Sequence, residues 1–574
     1  MAPPDLNTVP PSPHPPINAT HSPPPNVALP LHPAPPVASP ERPNILYIMA
    51  DQLAAPLLKM HNPDSQIKTP NIDRLASDAV VFDSAYCPSP LCAPSRMSMV
   101  TGQLPSKIGA YDNANSIGSD IPTYAHYLRS AGYETVLAGK MHFIGEQLHG
   151  YERRLTSDIY PGDYGWVVDW DEPDTRLEWY HNASSILQAG VCVRSNQLDY
   201  DEEVMYRSTQ YLYDHVRKPV RVGEEKRPFC LTVSLTHPHD PYTIEQKYWD
   251  MYEDVDIPLP TVSRLPNESQ DAHSARLMKV CDLWDKEFTP EQIKRARRAY
   301  YGAVSYVDDC IGRILKVLKD CKLDENTIIV FSGDHGDMLG ERGLWYKMSY
   351  FESSVRVPFM IHHPTRFPPR HIPQHVSTLD ILPTLTAMVG VPIHPSLQID
   401  GHSLLPLLES RPIPPTFHDS NTVFAEYMGE GTVAPLIMIR RGTFKYIHCP
   451  ADPDQLYDLE GDPLELTNCA SDKALKHMPE EIKQLTAEKV KLLRDETYEK
   501  WDFKALDIAV RRSQCQRRVV WDALKRGKWT SWDWNPASHG EGDGRQMYIR
   551  SHMPLDDLEI MARYPRVDEF GRVM

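Results

Sequence analysis

Positive charge, cysteine and long apolar runs are all scarce in this chain. Lys and Arg number 60 against 77 Asp and Glu, a net charge of -17. That balance argues against a nucleic-acid binder, which shows basic excess. It leaves room for an anionic substrate, because a local basic pocket can sit inside an acidic protein. Ten cysteines are spread over 574 residues, too thinly for a disulfide framework. Cys87 and Cys92 do not have the tight spacing of a zinc knuckle. No apolar run approaches the ~20 residues of a membrane span. The first residues, Met1 to Asn7, lack the charged-then-apolar pattern of a secretory signal. The cytoplasm is therefore the expected compartment, and the sequons at Asn182 and Asn267 carry no expectation of glycosylation. No internal repeat is present.

Proline is abundant, but unevenly so. Residues 1–43 hold 16 of the 54 prolines, with few aliphatics and no periodicity. This segment is expected to be disordered. Beyond it, short apolar runs alternate with helical spacings. Asn44–Ala50, Tyr133–Leu137, Phe229–Leu235 and Thr327–Phe331 read as buried strands. Helices are expected from Thr69, over 123–130 and over 290–319. This alternation predicts an α/β domain over 44–420 with a large, doubly wound, mainly parallel sheet flanked by helices. From residue 421 the pattern changes to short antiparallel strands at 422–426, 436–440 and 443–447, then a helix over 479–499. A smaller α+β subdomain is expected over 421–505, followed by a tail over 506–574. Residues 150–200 read as a long aromatic and acidic insertion, of the kind that is often functional.

Ser89 to Gly102 is the stretch that organises the rest. Pro94 suits a first helical turn, and Gly102 stands where the helix should stop. Cys92 would then lie at a helix N-terminus with Arg96 one turn on, a setting that lowers a thiol pKa and favours an anion. On local physics alone, a buried structural cysteine is the better reading of Cys92, since free cysteine is among the most buried residue types. Four expected strands end in polar residues: Asp51-Gln52, Lys140-x-His142, His237 and Asp334-His335. Ligands collect beyond the carboxyl ends of strands in open α/β sheets, and core packing does not explain several such ends.

Cys92-Ala93-Pro94-Ser95-Arg96, followed by Thr101-Gly102, resembles the signature of the type I sulfatases. Gly132-Tyr133-x-Thr135-x-x-x-Gly139-Lys140-x-His142 resembles their second signature, and the likeness covers most of residues 42 to 470. In that family an enzyme oxidises the cysteine to formylglycine, whose aldehyde hydrate attacks sulfur and later collapses to expel sulfate. The resemblance implies a formylglycine-generating enzyme as partner. It also implies a divalent cation held by Asp51, Gln52, Asp334 and His335, with Lys140 and Lys347 on the sulfate oxygens. Arg96 and His142 would hold the hydrated aldehyde, and His237 would protonate the leaving alcohol.

Most sulfatases carry Asp where this chain has Gln52 and Asn where it has His335. The Gln/His version resembles the branch acting on choline sulfate and the related phosphonate monoester hydrolases. Fewer charges and a nitrogen ligand make Mn2+ as plausible a metal as Ca2+. The aromatic insertion and the tail resemble the choline branch in particular. Aromatic faces and carboxylates bind quaternary ammonium groups, and Trp166, His181, Glu426, Asp556 and Asp557 fit that role by position. Four tryptophans within 521–534 need covering, which points to a pocket or a contact in an assembly of identical chains. Two alternatives stay open: phosphonate or phosphodiester hydrolysis on the same fold, and an unoxidised chain that only binds sulfate esters.

Overall fold

The computed structural model describes residues 42–524, 526 and 562–574, except 145–146, 160–163, 174, 178, 220–225 and 412–420. The Pro-rich segment, Asp556, Asp557, Trp529, Trp532 and Trp534 lie outside the described residues.

The chain first lays down β1 (Asn44–Ala50), β2 (Val80–Tyr86), β3 (Glu134–Gly139) and the two-residue β4 (Arg153–Arg154). Next come β5 (Gly190–Cys192), β6 (Phe229–Leu235) and β7 (Thr243–Glu245), of which β5 and β7 pair only with each other. β8 (Thr327–Gly333), β9 (Phe359–His362) and β10 (Arg370–Ser377) complete the large sheet. Its order is β10-β2-β9-β8-β1-β6-β3-β4, and only β9 runs against its neighbours. The α/β expectation therefore holds, with one antiparallel strand inserted.

Burial explains the strands. Every residue of β1, β6 and β8 is buried. Such strands read as unbroken apolar runs because helices cover both faces. β2 escapes a reading by apolar run, since Asp83 and Ser84 interrupt it at half-buried positions. β8, β1, β6 and β3 are consecutive in the sheet and mutually parallel. Their carboxyl ends therefore share one edge, and the four polar strand ends become neighbours. Gly139 closes this arrangement. It lies at φ +110°, and a Cβ there would stand 1.9 Å from the Ser234 carbonyl of β6. Only glycine lets β3 approach β6 just before Lys140.

Two long helices brace this edge. The helix Pro290–Asp320 starts with a capping box between Thr289 and Gln292 and carries Tyr300, which bonds the backbone just past β1. The helix Asn196–Arg217 is capped by Ser195 and carries Asp201. A separate antiparallel sheet follows, with order β11 (Thr422–Tyr427), β12 (Leu436–Arg441), β13 (Phe444–His448) and β14 (Gln455–Asp458). The helix Glu480–Lys500 packs on it through Leu493. At the start of the expected tail, which carried no assigned secondary structure, Phe503–Leu524 forms a helix. Among the described residues, no helix is long and apolar enough to cross a membrane.

Candidate active site

Cys92 is the first residue of a helix, Cys92–Thr101, in which every residue is buried. Gly102 ends it in the left-handed region at φ +66°, as a C-terminal glycine should. The Cys92 Sγ lies 3.1 Å from His335 Nε2, 3.6 Å from Lys140 Nζ and 3.8 Å from Asp51 Oδ1. Asp51, Cys92, Asp334 and His335 present donor atoms all within 4.8 Å of one another.

Each strand end contributes to this knot of charge. Asp51 Oδ2 receives the Lys140 ammonium and lies 3.3 Å from Arg96 Nη2. Arg96 Nε donates to Asp334 Oδ2 at 2.8 Å, and its Nη1 donates to the Lys140 carbonyl and to Ser234 Oγ. Arg96 is fully buried, and such a charge persists only when paired. Arg96 thus clamps the two carboxylates together, where a direct hold on the reacting group had been expected. Burial alone would raise the Asp51 carboxyl, but Lys140 and Arg96 hold it well below the usual carboxylate range.

The expected low thiol pKa is not found. Burial, with the Asp51 charge second, pushes the Cys92 thiol up to about 11 against the pull of Lys140 and Lys347. Desolvation outweighs the helix N-terminus here. His142 sits at φ +59°, two residues past Lys140, its ring 6.0 Å from that of Trp166. Burial, then the Lys140 and Arg96 charges, hold it neutral well below the usual imidazole range.

A second group of contacts surrounds Gln52. Its Oε1 accepts from Lys347 Nζ at 2.7 Å, and Tyr300 OH donates to its backbone carbonyl at 2.6 Å. Lys347 Nζ also lies 2.8 Å from His239 Nε2. Because an ammonium only donates, that nitrogen accepts. The other ring nitrogen, Nδ1, is 2.6 Å from the Asp240 carbonyl and donates to it. Burial alone would lower the Lys347 ammonium, but the charges of Cys92, Asp240 and Asp51 raise it above the ordinary lysine range.

His237 is elsewhere. Its Nδ1 lies 2.7 Å from Asp201 Oδ2 on the Asn196–Arg217 helix, and its ring packs 4.8 Å from Tyr306. Asp201 also accepts from the backbone N–H of Thr236 and of His237. This carboxylate pulls His237 to the helix side of the turn and leaves His239 facing the pocket. Of His237-Pro238-His239, sequence reasoning took the first histidine and missed the second. No local signal separates them, because the His239 tautomer is set by the backbone carbonyl of residue 240, which any side chain would leave in place.

Beyond His239 the pocket turns aromatic. His181 stacks on Tyr346 at 4.3 Å, and its Nδ1 is 3.4 Å from Asp240 Oδ2. Trp166 stacks on Trp179 at 6.3 Å. Glu426 does not join them. Its Oε2 accepts from the Ser106 backbone N–H at 2.6 Å, and its Oε1 accepts from Ser106 Oγ at 2.7 Å and Trp501 Nε1 at 2.5 Å. Glu430, one turn of chain later, is buried, accepts from Tyr427 OH at 3.2 Å and feels the charges of His181 and Lys347. The helix Phe503–Leu524 covers this side. Arg517 pairs with buried Asp112, Arg511 pairs with Asp171, and Gln514 Oε1 accepts from the Trp170 backbone N–H at 3.2 Å.

The donor set fits a divalent metal. Two carboxylates and an imidazole converge, and Lys140 and Arg96 sit on the carboxylate oxygens as stand-in cations. Carboxylates, lysines and a buried free cysteine gathered at the strand ends of a parallel sheet are the groups of an enzyme that cleaves anionic esters.

The comparisons narrow this class. Residues 43–391 match the family model described as Sulfatase, and the chain belongs to the sulfatase family. Residues 508–564 match Choline sulfatase enzyme C terminal, and 340–492 match N-sulphoglucosamine sulphohydrolase, C-terminal. A choline-sulfatase of Rhizobium meliloti is 45% identical over 92% of this chain and 99% of its own length. An arylsulfatase of Clostridium perfringens is 28% identical over 77% of this chain and 93% of its own. Among solved structures, the phosphonate monoester hydrolase of Agrobacterium radiobacter superposes with TM-score 0.61 at 25% identity, covering 79% of this chain and 96% of that one.

Proposed function

We propose that this protein hydrolyses choline sulfate to choline and sulfate. The supporting observation is the placement of Cys92 within 3.1 Å of His335 and 3.8 Å of Asp51, beside Lys140, in a chain 45% identical to a choline-sulfatase. In the proposal Asp51, Gln52, Asp334 and His335 would hold one divalent ion, Ca2+ or Mn2+, which would supply charge neutralisation for the sulfate oxygens. Formylglycine, made from Cys92 by a formylglycine-generating enzyme, supplies the nucleophilic hydroxyl. Lys140 and Lys347 bind sulfate oxygens as point charges. Arg96 fixes Asp51 and Asp334, and His142 borders the nucleophile.

His239 takes the leaving-group role first considered for His237. Its Nε2 accepts from the Lys347 ammonium, and this lysine–histidine pair would hold the proton that the departing alcohol oxygen takes up. An alkoxide leaves poorly without that proton. The choline end is built by Trp166, His181 and Glu430, with aromatic faces and a carboxylate for the ammonium. Glu426 instead fastens β11 to Ser106 and Trp501. Asp556 and Asp557, outside the described residues, remain proposed contributors from the tail, in this chain or a neighbouring copy in a homo-oligomer. The cytoplasm is the proposed compartment.

Hydrolysis of phosphonate or phosphodiester bonds on the same site is the second reading, favoured by the likeness to the Agrobacterium enzyme. The test compares turnover of choline sulfate, an aryl sulfate and a phosphodiester, with a mass spectrum of the Cys92 peptide. Choline sulfate should be preferred, and the peptide should be lighter than its cysteine form. A phosphodiester preference would establish the second reading, and an unconverted, inactive protein would contradict both.

A further inference from the structure

Gln52 is an amide whose contacts leave it one orientation. Its Nε2 donates to Asp337 Oδ2 at 2.6 Å and to Asp240 Oδ1 at 3.2 Å, while its Oε1 accepts from Lys347 Nζ at 2.7 Å. Turning the amide over would set an oxygen against two carboxylates and an NH2 against an ammonium. Three attractive contacts would become three repulsive ones. Asp337 is itself pinned. Its Oδ2 also accepts from Tyr242 OH at 2.9 Å, and its Oδ1 accepts from the Leu339 backbone N–H at 2.8 Å. It is buried and follows His335 on the same loop. Neither sulfate binding nor proton transfer, as proposed above, uses it.

We infer that Asp337, supported by Asp240, is the positioning residue that turns the Gln52 carbonyl oxygen toward the pocket shared by Cys92, Asp51 and Asp334. The same pair makes an amide, rather than a carboxylate, the side chain this pocket accepts at position 52. A carboxylate at that position would be a third one against Asp337 and Asp240, where like charges repel. The inference rests on the reading of Gln52 as a metal ligand.

The test is titration of chelator-treated, full-length protein with Mn2+, following the free ion by its paramagnetic resonance signal. Parent, Asp337→Asn, Gln52→Glu and the double variant are compared, with thermal melts to check folding. Asp337→Asn should weaken Mn2+ binding by about 10–100-fold, the usual loss for a residue that orients a metal ligand. Gln52→Glu should also weaken it, although it adds a negative ligand. The double variant should regain most of the affinity, because the amide introduced at position 337 can donate to the carboxylate introduced at position 52. A merely structural role for Asp337 would give the same loss in both backgrounds, and that result would overturn the inference. So would unchanged Mn2+ binding in Asp337→Asn. If that variant does not fold, Gln52→Glu decides alone: binding as tight as the parent's overturns the inference. A parent that binds no Mn2+ would overturn the metal reading itself, and this inference with it.

Discussion

The two ends of the pocket are built in different ways. The proposed sulfate end rests on the carboxyl edges of β8, β1, β6 and β3, and its side chains are buried and cross-linked by charge. The proposed choline end rests on Trp166, Trp179 and His181, on Glu430 just past β11, and on the helix Phe503–Leu524. Rigid strand ends fix reacting groups to within fractions of an ångström, as bond-making demands. A head group held by aromatic faces tolerates looser supports. Substitutions at the first end should stop chemistry, and those at the second should change which ester is used.

The largest effect should come from Cys92→Ala. With no other nucleophile in the proposed mechanism, we expect turnover of every ester to fall by at least about 10⁴-fold, with the melting temperature nearly unchanged. Residual turnover near the parent level would remove the Cys92 mechanism.

The two histidines give the next contrast. His239→Asn should lower kcat for choline sulfate by roughly 10²–10⁴-fold, the range for a lost general acid. It should matter less for an aryl sulfate, whose leaving group needs no proton. His237→Asn should act mainly on stability, since His237 faces Asp201 and Tyr306. A larger kcat loss at His237 than at His239 would reverse this assignment.

Glutamates 426 and 430 should separate in the same manner. Glu430→Gln should reduce kcat/KM for choline sulfate by about 30-fold, the equivalent of ~2 kcal/mol for a desolvated cation contact, and spare a neutral ester. Glu426→Gln should instead lower the melting temperature, because it loosens three hydrogen bonds.

The smallest effect is one of pH. Burial raises the Glu430 carboxyl above its ordinary value. Its protonated form is neutral and does not attract a cation. The preference for choline sulfate over a neutral ester should therefore fade on acidification while pH is still above the usual Glu pKa of ~4.3. A preference that persists below that value would exclude Glu430 from the pocket.

The strand ends that carry the proposed sulfate end were legible because their supports are local. β1 and β6 were readable to the residue, since a strand covered on both faces is an unbroken apolar run bounded by polar ends. Each of those ends then marks a candidate position. What escaped depends on contacts distant in the chain. His237 and His239 are chemically identical, and Asp201 on another helix separates them. Glu426 lies in β11 and Glu430 just past it, and Ser106 and Trp501 claim the first. The basic run Arg511 to Arg518 carries no local sign of what it meets. Its partners Asp112, Asp169 and Asp171 come from much earlier in the chain and turn that helix onto the pocket.

The most direct measurement sets choline sulfate against 3,3-dimethylbutyl sulfate, which has the same shape without the positive charge. The sulfate end sees the same ester in both, so the ratio of kcat/KM isolates the choline end. The account predicts a preference of about 30-fold or more for choline sulfate, the worth of a desolvated cation among aromatic and carboxylate groups. Equal kcat/KM for the two esters would contradict it.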